Sequence, residues 1–448
     1  MGCLFILLHT LTSGKSPVSS SAMSHVSSDS AVTTSPPARP ANGAALTDSE
    51  TRLGREAERE LRENILPFWL KYSPDPAGGG FQGEVRDDLT TVADAPRGQL
   101  LTCRILWTFS AAYRHFHDEP SLAMARRAYD DLNARFWDQE NGGLYWTIDA
   151  AGKPLNQTKQ IYGQVFGIYA LSEYYRATGD APALERAIAL YRLLEERARD
   201  GANGGYFEVF SADWRRDPAL KSVVNGVSSK SQNTHLHVME AYTALLRVWP
   251  DAGLRRAQHE LLEIMLGKIY DGKTHHLSLY LTGDWLPRSR HVSYGHDIEA
   301  AWLMTEAAEV LGDPELIARA KKTAVEIADV TRGEGVDVDG GLFNEGGPQG
   351  LVDSSKDWWP QAEAVVGFLD AYQISGDRRY WDAAEASWMF IEKHLVDRER
   401  GEWFHSMSRD GQVRRFPKIS LWKCPYHNSR ACFEVMDRVA ALKAAAAR

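Results

Sequence analysis

Three histidines stand where a chain could carry protons to and from carbon. His237 follows Asn233 by four residues, and His296 precedes Glu299 by three, so each pair shares a helix face. His427 lies five residues after Trp422. Imidazole, with an ordinary pKa of about 6.5, both accepts and donates a proton near neutrality. Around the histidines fall Arg104, Tyr162 with Gln164, the tandem Trp358-Trp359, and Glu363. A guanidinium can stabilise a developing oxyanion. Indole faces suit flat, apolar partners such as sugar rings. Tyr162, Asn233, His296, Trp359 and His427 are separated by 71, 63, 63 and 68 residues. That interval aims equivalent positions of a repeat at one pocket. His235, two residues from His237, points elsewhere. Taken singly, each residue has a plainer reading. A histidine at a helix start is more often a cap, one of the two tryptophans belongs to the core, and Arg104 and Glu363 could be ion-pair partners. Three histidines at one phase of a repeat are harder to account for in that way.

The elements that position them repeat as well. An aromatic-rich helix, an Asp turn and a second helix recur at Asp118, Asp180, Asp251, Asp313 and Asp377. Aspartate favours helix starts because its carboxylate accepts from free backbone N–H groups. Half a period away come Gly-rich turns with short alternating aromatic stretches. Phe81, Tyr145, Phe207, Leu279, Phe343 and Phe404 mark them at spacings of 64, 62, 72, 64 and 61. The fourth copy, His276–Tyr280, is degenerate. Glycine supplies the turn and alternation the strand, so these are small hairpins. Six such units predict an all-α fold, an (α/α)6 barrel of six inner and six outer helices. Short β-hairpins occupy the long loops at one end, where the polar residues gather. An open helical solenoid is the alternative.

Bulk properties narrow the class. The 448 residues carry a net charge of -9, which argues against a nucleic-acid partner. Four cysteines, Cys3, Cys103, Cys424 and Cys432, make no disulfide framework at this length and suit a reducing compartment, so the expected location is cytoplasmic. Cys424, His427 and Cys432 match no zinc spacing, so no metal site is assigned. The apolar run Cys3–Leu8 is too short to span a bilayer and, with no basic residue before it, makes a poor signal peptide. The Ser-, Pro-, Ala- and Thr-rich stretch that follows reads as unfolded. The expected organisation is a disordered leader over residues 1–46 and a barrel over residues 47–448, with no membrane partner, as a monomer or weak homo-oligomer.

Four stretches then carry a resemblance: Asn233–Glu240 (Asn-Thr-His-Leu-His-Val-Met-Glu), Ser293–Glu299 (Ser-Tyr-Gly-His-Asp-Ile-Glu), Trp358–Glu363 (Trp-Trp-Pro-Gln-Ala-Glu) and Trp422–Asn428 (Trp-Lys-Cys-Pro-Tyr-His-Asn). The chain resembles the N-acylglucosamine 2-epimerase superfamily, and within it the cellobiose 2-epimerases, in register from roughly Glu50 to Val439. The resemblance implies an (α/α)6 barrel, no cofactor, and reversible inversion at C2 of a reducing-end glucose. It also implies that His296 and His427 are the acid/base pair and that His237 assists ring opening. Arg104, Tyr162, Asn233, Glu299, Trp359 and Trp422 fall on its substrate-binding or supporting positions. Relatives acting on N-acylglucosamine or mannose leave the sugar open. Two other classes stand beside this reading. A glycoside hydrolase needs two carboxylates across a glycosidic bond, for which Glu299, Glu345 or Glu363 could be nominated. A binding scaffold without chemistry would scatter its polar groups.

Overall fold

The computed structural model describes residues 48–227 and 229–446. The leader expected over residues 1–46 lies outside them. The inner helices are Gln99–Phe116, Ile161–Thr178, Gln232–Val248, Tyr294–Leu311, Trp358–Ser375 and Tyr426–Ala446. Each is buried over most of its surface, as helices enclosed on all sides are. Five outer helices, Glu119–Asp131, Ala181–Arg197, Ala252–Ile264, Pro314–Val330 and Arg378–Phe390, follow the Asp turns. Asp118, Asp180, Asp251, Asp313 and Asp377 cap them as their sequence positions predict, each accepting a first-turn backbone N–H. The remaining outer helix is Asp48–Glu60, which runs through a wide turn at Leu61–Ile65 into Leu66–Tyr72.

Each inner helix packs on the next, and the sixth returns to the first while the Asp48–Glu60 helix lies against it. The barrel is closed. A ring of strand pairs at the mouth closes it a second time. Each short strand entering an inner helix pairs with a strand of the following repeat: Arg97–Gly98 with Thr147–Ile148, Lys159–Gln160 with Val209–Phe210, Lys230–Ser231 with Tyr280–Leu281, Val292–Ser293 with Glu345 and Gly346, and Lys356–Asp357 with Ser406–Met407. Ile419 completes the circle by bridging back to Val85. The Gly turns themselves are held by single bridges such as Trp137–Leu144 and Val396–Trp403, while two-residue pairings link one repeat to the next.

Buried ion pairs fasten these hairpins. The aspartate entering each Gly turn meets the basic residue that precedes the next inner helix: Asp75 with Arg97 at 2.6 Å, Asp138 with Lys159 at 2.6 Å, Asp200 with Lys230 at 2.8 Å, Asp337 with Lys356 at 2.8 Å, and Asp397 with Lys418 at 2.8 Å. All five aspartates also accept backbone N–H bonds of their own turn, so the buried charges are well solvated by protein. The fourth repeat, whose hairpin signature is degenerate, has Val292 in place of the base. There His276 Nδ1 lies 2.7 Å from Asp297 instead. At the opposite end the inner helices finish in a second set of ion pairs, Arg114–Glu173 at 2.8 Å, Arg247–Glu306 at 2.7 Å and Arg438–Asp370 at 2.9 Å. No described helix is long and apolar enough to cross a membrane.

Candidate active site

One position near the start of each inner helix builds the floor of the site. Arg104, Phe166, His237, Glu299, Glu363 and Arg430 recur 62, 71, 62, 64 and 67 residues apart, and all six are buried. Two residues earlier on four of these helices, the side chain turns away and grips the preceding hairpin. Gln164 accepts from Leu144 N–H and donates to its carbonyl, Gln361 does the same with Leu342, Asp297 accepts from Leu277 N–H, and His235 Nε2 accepts from Tyr206 N–H. Gln164, a candidate by sequence, is therefore a hairpin anchor. His235 points away from His237 as its spacing predicts. Burial pulls its pKa down to about 4, and only the neutral ring can accept the Tyr206 bond.

The floor is wired through Arg430. Its guanidinium donates to Glu240 and to Glu299 and Glu363, the last two at 2.5 and 2.7 Å. Glu240 Oε2 lies 2.7 Å from His237 Nδ1, and Glu363 Oε1 lies 2.7 Å from His427 Nδ1. Tyr426 also donates to Glu240, and Trp302 Nε1 donates to Glu363 at 3.1 Å. Burial alone would push the Glu240 carboxyl up. Arg430, with His237 and Tyr426, brings it down to about 2. Burial raises Glu299 to about 7, helped by the neighbouring Glu363, and its Oε2 is buried without a hydrogen-bond partner. His427 is held well below the ordinary imidazole value by burial and by Arg104 and Arg430.

His296 is set differently. Its Nδ1 lies 2.8 Å from Ser293 Oγ, a neutral partner, and burial with the nearby His237 lowers its pKa to about 3. The Trp359 ring bridges the two remaining histidines, with centroids 4.7 Å from His296 and 5.5 Å from His427. His237 interacts electrostatically with both, so the three converge on one chamber at the hairpin end. The chamber opens into a cleft lined in part by His296, Trp359, Asn233, Asn225, Tyr280 and Glu345. Trp359 can lie there because Gly295 has no side chain. A Cβ at that position would come within 2.7 Å of the indole. Gly295→Ala is expected to displace Trp359 and lower kcat/KM about tenfold or more, the scale of a misplaced positioning group. Steady-state kinetics with an unchanged circular-dichroism spectrum would check it.

Arg104 lies within the same chamber. It donates to Tyr162 Oη at 2.8 Å and to Cys424 Sγ at 3.4 Å, with its guanidinium 4.4 Å from the Phe166 ring centroid. Tyr162 packs edge-on to His237 at 5.0 Å, and burial pushes its phenol to about 12. Asn233 donates to Asn225 at 3.0 Å, while its Oδ1 accepts nothing. Trp422 stands apart at the rim, 39% exposed, with its ring 5.9 Å from Trp146. Sequence reasoning did not assign Arg430 or Glu240. The repeat phase of Arg104, His237, Glu299 and Glu363 extends to Arg430, and Glu240 is three residues from His237, so both signals were present.

The family model described as N-acylglucosamine 2-epimerase (GlcNAc 2-epimerase) matches residues 79–431. The chain belongs to this family. Within the N-acylglucosamine 2-epimerase family, the chain is 42% identical to a cellobiose 2-epimerase of Bacteroides fragilis, over 86% of this chain and 98% of that one. It is 38% identical to a cellobiose 2-epimerase of Dictyoglomus turgidum, over 86% and 99%. The solved structure of cellobiose 2-epimerase from Bacillus thermoamylovorans superposes with a TM-score of 0.82 at 38% identity, covering 87% of this chain and all of that one. These 2-epimerase structures share the six-hairpin helical barrel.

Among the described residues of this family member, Glu299, Glu363 and His427 bring ligand-type atoms within 4.8 Å of one another. A divalent cation accepts such a donor set. Here the Arg430 guanidinium lies against both carboxylates and supplies the positive charge. The same pairing bears on glycosidic cleavage, which needs two carboxylates facing each other across a bond. Glu299 and Glu363 instead share one guanidinium beneath the histidines.

Proposed function

We propose that this protein is a cellobiose 2-epimerase, reversibly inverting C2 of the reducing-end glucose of β-1,4-linked disaccharides: cellobiose to glucosyl-mannose, and lactose to epilactose. The observation that carries this reading is a chamber with three imidazoles, two of them backed at Nδ1 by carboxylates, together with Arg104, which has no carboxylate partner among the described residues. The C2 proton of an aldose is acidic only when C1 is a carbonyl, so the first step opens the ring. His237, adjoining Glu299 and Tyr162, is placed to relay protons between the ring oxygen and the C1 hydroxyl. One of the pair His296 and His427 then removes the C2 proton and leaves an enediolate. The other returns a proton to the opposite face. Arg104 stabilises the oxyanion, and Trp359 lies against the reacting sugar. The cleft beyond His296, with the free acceptor of Asn233, has room for the second ring. Trp422 at the rim is assigned to the outer part of the same substrate.

No step in this scheme calls for a metal or nucleotide, and we assign none. We place the enzyme in the cytoplasm, as a monomer or weak homo-oligomer, with the barrel over residues 47–448 as its catalytic domain. The test is incubation of the protein with cellobiose, lactose, mannose and N-acetylglucosamine separately, with product identification. Epimerised disaccharide is expected from the first two. Turnover of N-acetylglucosamine or mannose alone would move the protein to the N-acylglucosamine 2-epimerase or mannose isomerase branch. Monosaccharide release from cellobiose would mark a hydrolase.

A further inference from the structure

Two histidines of the chamber depend on one buried cation. His237 is on the third inner helix and His427 on the sixth, yet their carboxylate partners Glu240 and Glu363 both meet Arg430. An ionised carboxylate only accepts hydrogen bonds, so each histidine must carry a proton on Nδ1, and in the neutral ring the free base is then Nε2. If either carboxyl were protonated it could donate instead, and the ring would turn to the opposite tautomer with Nε2 blocked. Burial alone favours protonated carboxyls here, because the charged form is desolvated. Arg430 opposes this at both sites, with His237 and Tyr426 at Glu240 and with Trp302 at Glu363; the Glu240 carboxyl comes down, while burial still leaves Glu363 above the ordinary carboxyl value.

We propose that Arg430 is a positioning residue that sets the tautomer of both His237 and His427 by holding Glu240 and Glu363 ionised. The inference rests on the epimerase reading for its kinetic consequence, though not for its structural one. The groups facing His237 are Glu240, Glu299, Tyr162, His296 and His427. Those facing His427 are Glu363, Glu299, Arg104, Arg430, Tyr426, His237 and His296. Removing Arg430 lets Glu240 and Glu363 keep protons to higher pH. It also removes a positive charge that keeps His427 neutral. Both changes move the acid limb of kcat/KM the same way, toward higher pH.

The test is ¹⁵N imidazole spectroscopy on histidine-labelled protein, with His237 and His427 assigned from His237→Asn and His427→Asn. The full-length protein is expected to show both rings protonated on Nδ1 at neutral pH. In Arg430→Gln at least one ring should lose that tautomer, kcat should fall at least tenfold, and the acid limb should rise by one pH unit or more. Arg430→Lys keeps the charge, but a single ammonium cannot span both carboxylates, so only one of the two rings should retain its tautomer. This variant serves if the glutamine variant does not fold. Unchanged tautomers in either folded variant would overturn the proposal, as would an acid limb that stays put in Arg430→Gln. The spectra need no substrate, so a protein inert toward all four sugars would sink the epimerase reading and leave this one standing.

Discussion

His296→Asn and His427→Asn are each expected to cut turnover about 10²-fold or more, the scale of a lost general acid or base. Both rings reach the chamber beside Trp359, but they are backed differently, His427 by the Glu363 carboxylate and His296 by the Ser293 hydroxyl. Turnover in D2O should place deuterium at C2 of the epimerised product. In a two-base scheme each histidine takes the proton from one epimer only. Each variant should therefore still exchange C2–H of the epimer served by its surviving base, without completing inversion. The two variants should differ in which epimer that is. Their double variant should lose little beyond either single one, because one relay is broken in both cases. Near-normal turnover in both single variants would rule out the pair, and His237 with Glu299 would become the next to test.

Arg104→Met is expected to lower kcat by about 10² to 10³, the cost of one preorganised oxyanion donor. Arg104 is buried, and no carboxylate lies within ion-pair distance of it among the described residues. Its partners are a phenol, a thiol and aromatic faces. Its charge is thus uncompensated in the resting protein and becomes compensated as the enediolate forms. That is stabilisation of a transition state rather than of the fold. Arg104→Lys should recover part of the rate, since it restores the charge without the planar fork. The methionine variant should also melt at a higher temperature, because a buried unpaired cation opposes folding. Kinetics and calorimetry on the same preparations read both effects. A kcat within threefold of the parent would remove Arg104 from the chemistry.

What the sequence makes legible here is what is local or periodic. The Asp caps need only their own helix start, and the Gly turns only their own backbone, so both stand where the residues place them. His237, His296 and Trp359 emerge because the repeats bring the starts of the inner helices to one pocket. The carboxylate wiring is harder to read, since Arg430 meets partners on three other helices, far away in the chain. Burial conceals its own counter-charges: Glu240 reads as an ordinary helix residue, and Glu363 as one polar candidate among several, until Arg430 is seen between them. The aspartates before the Gly turns repeat as regularly as the glycines. Their meaning depends on an arginine and four lysines that arrive only with the next inner helix. Trp422 illustrates the converse, a residue whose type suits the chamber and whose place is at the rim.

The double closure of the ring has a consequence for biosynthesis. Val85 waits for Ile419, and the Asp48–Glu60 helix waits for Tyr426–Ala446, the helix that also carries His427 and Arg430. At ribosomal rates of about 5–20 residues per second, that interval is on the order of tens of seconds. During it the earliest helix has an apolar face with no native partner, a natural binding surface for a chaperone. The chamber is also incomplete throughout, because His427 and Arg430 lie on the sixth inner helix. Premature release would give an open-ringed protein with neither residue in place.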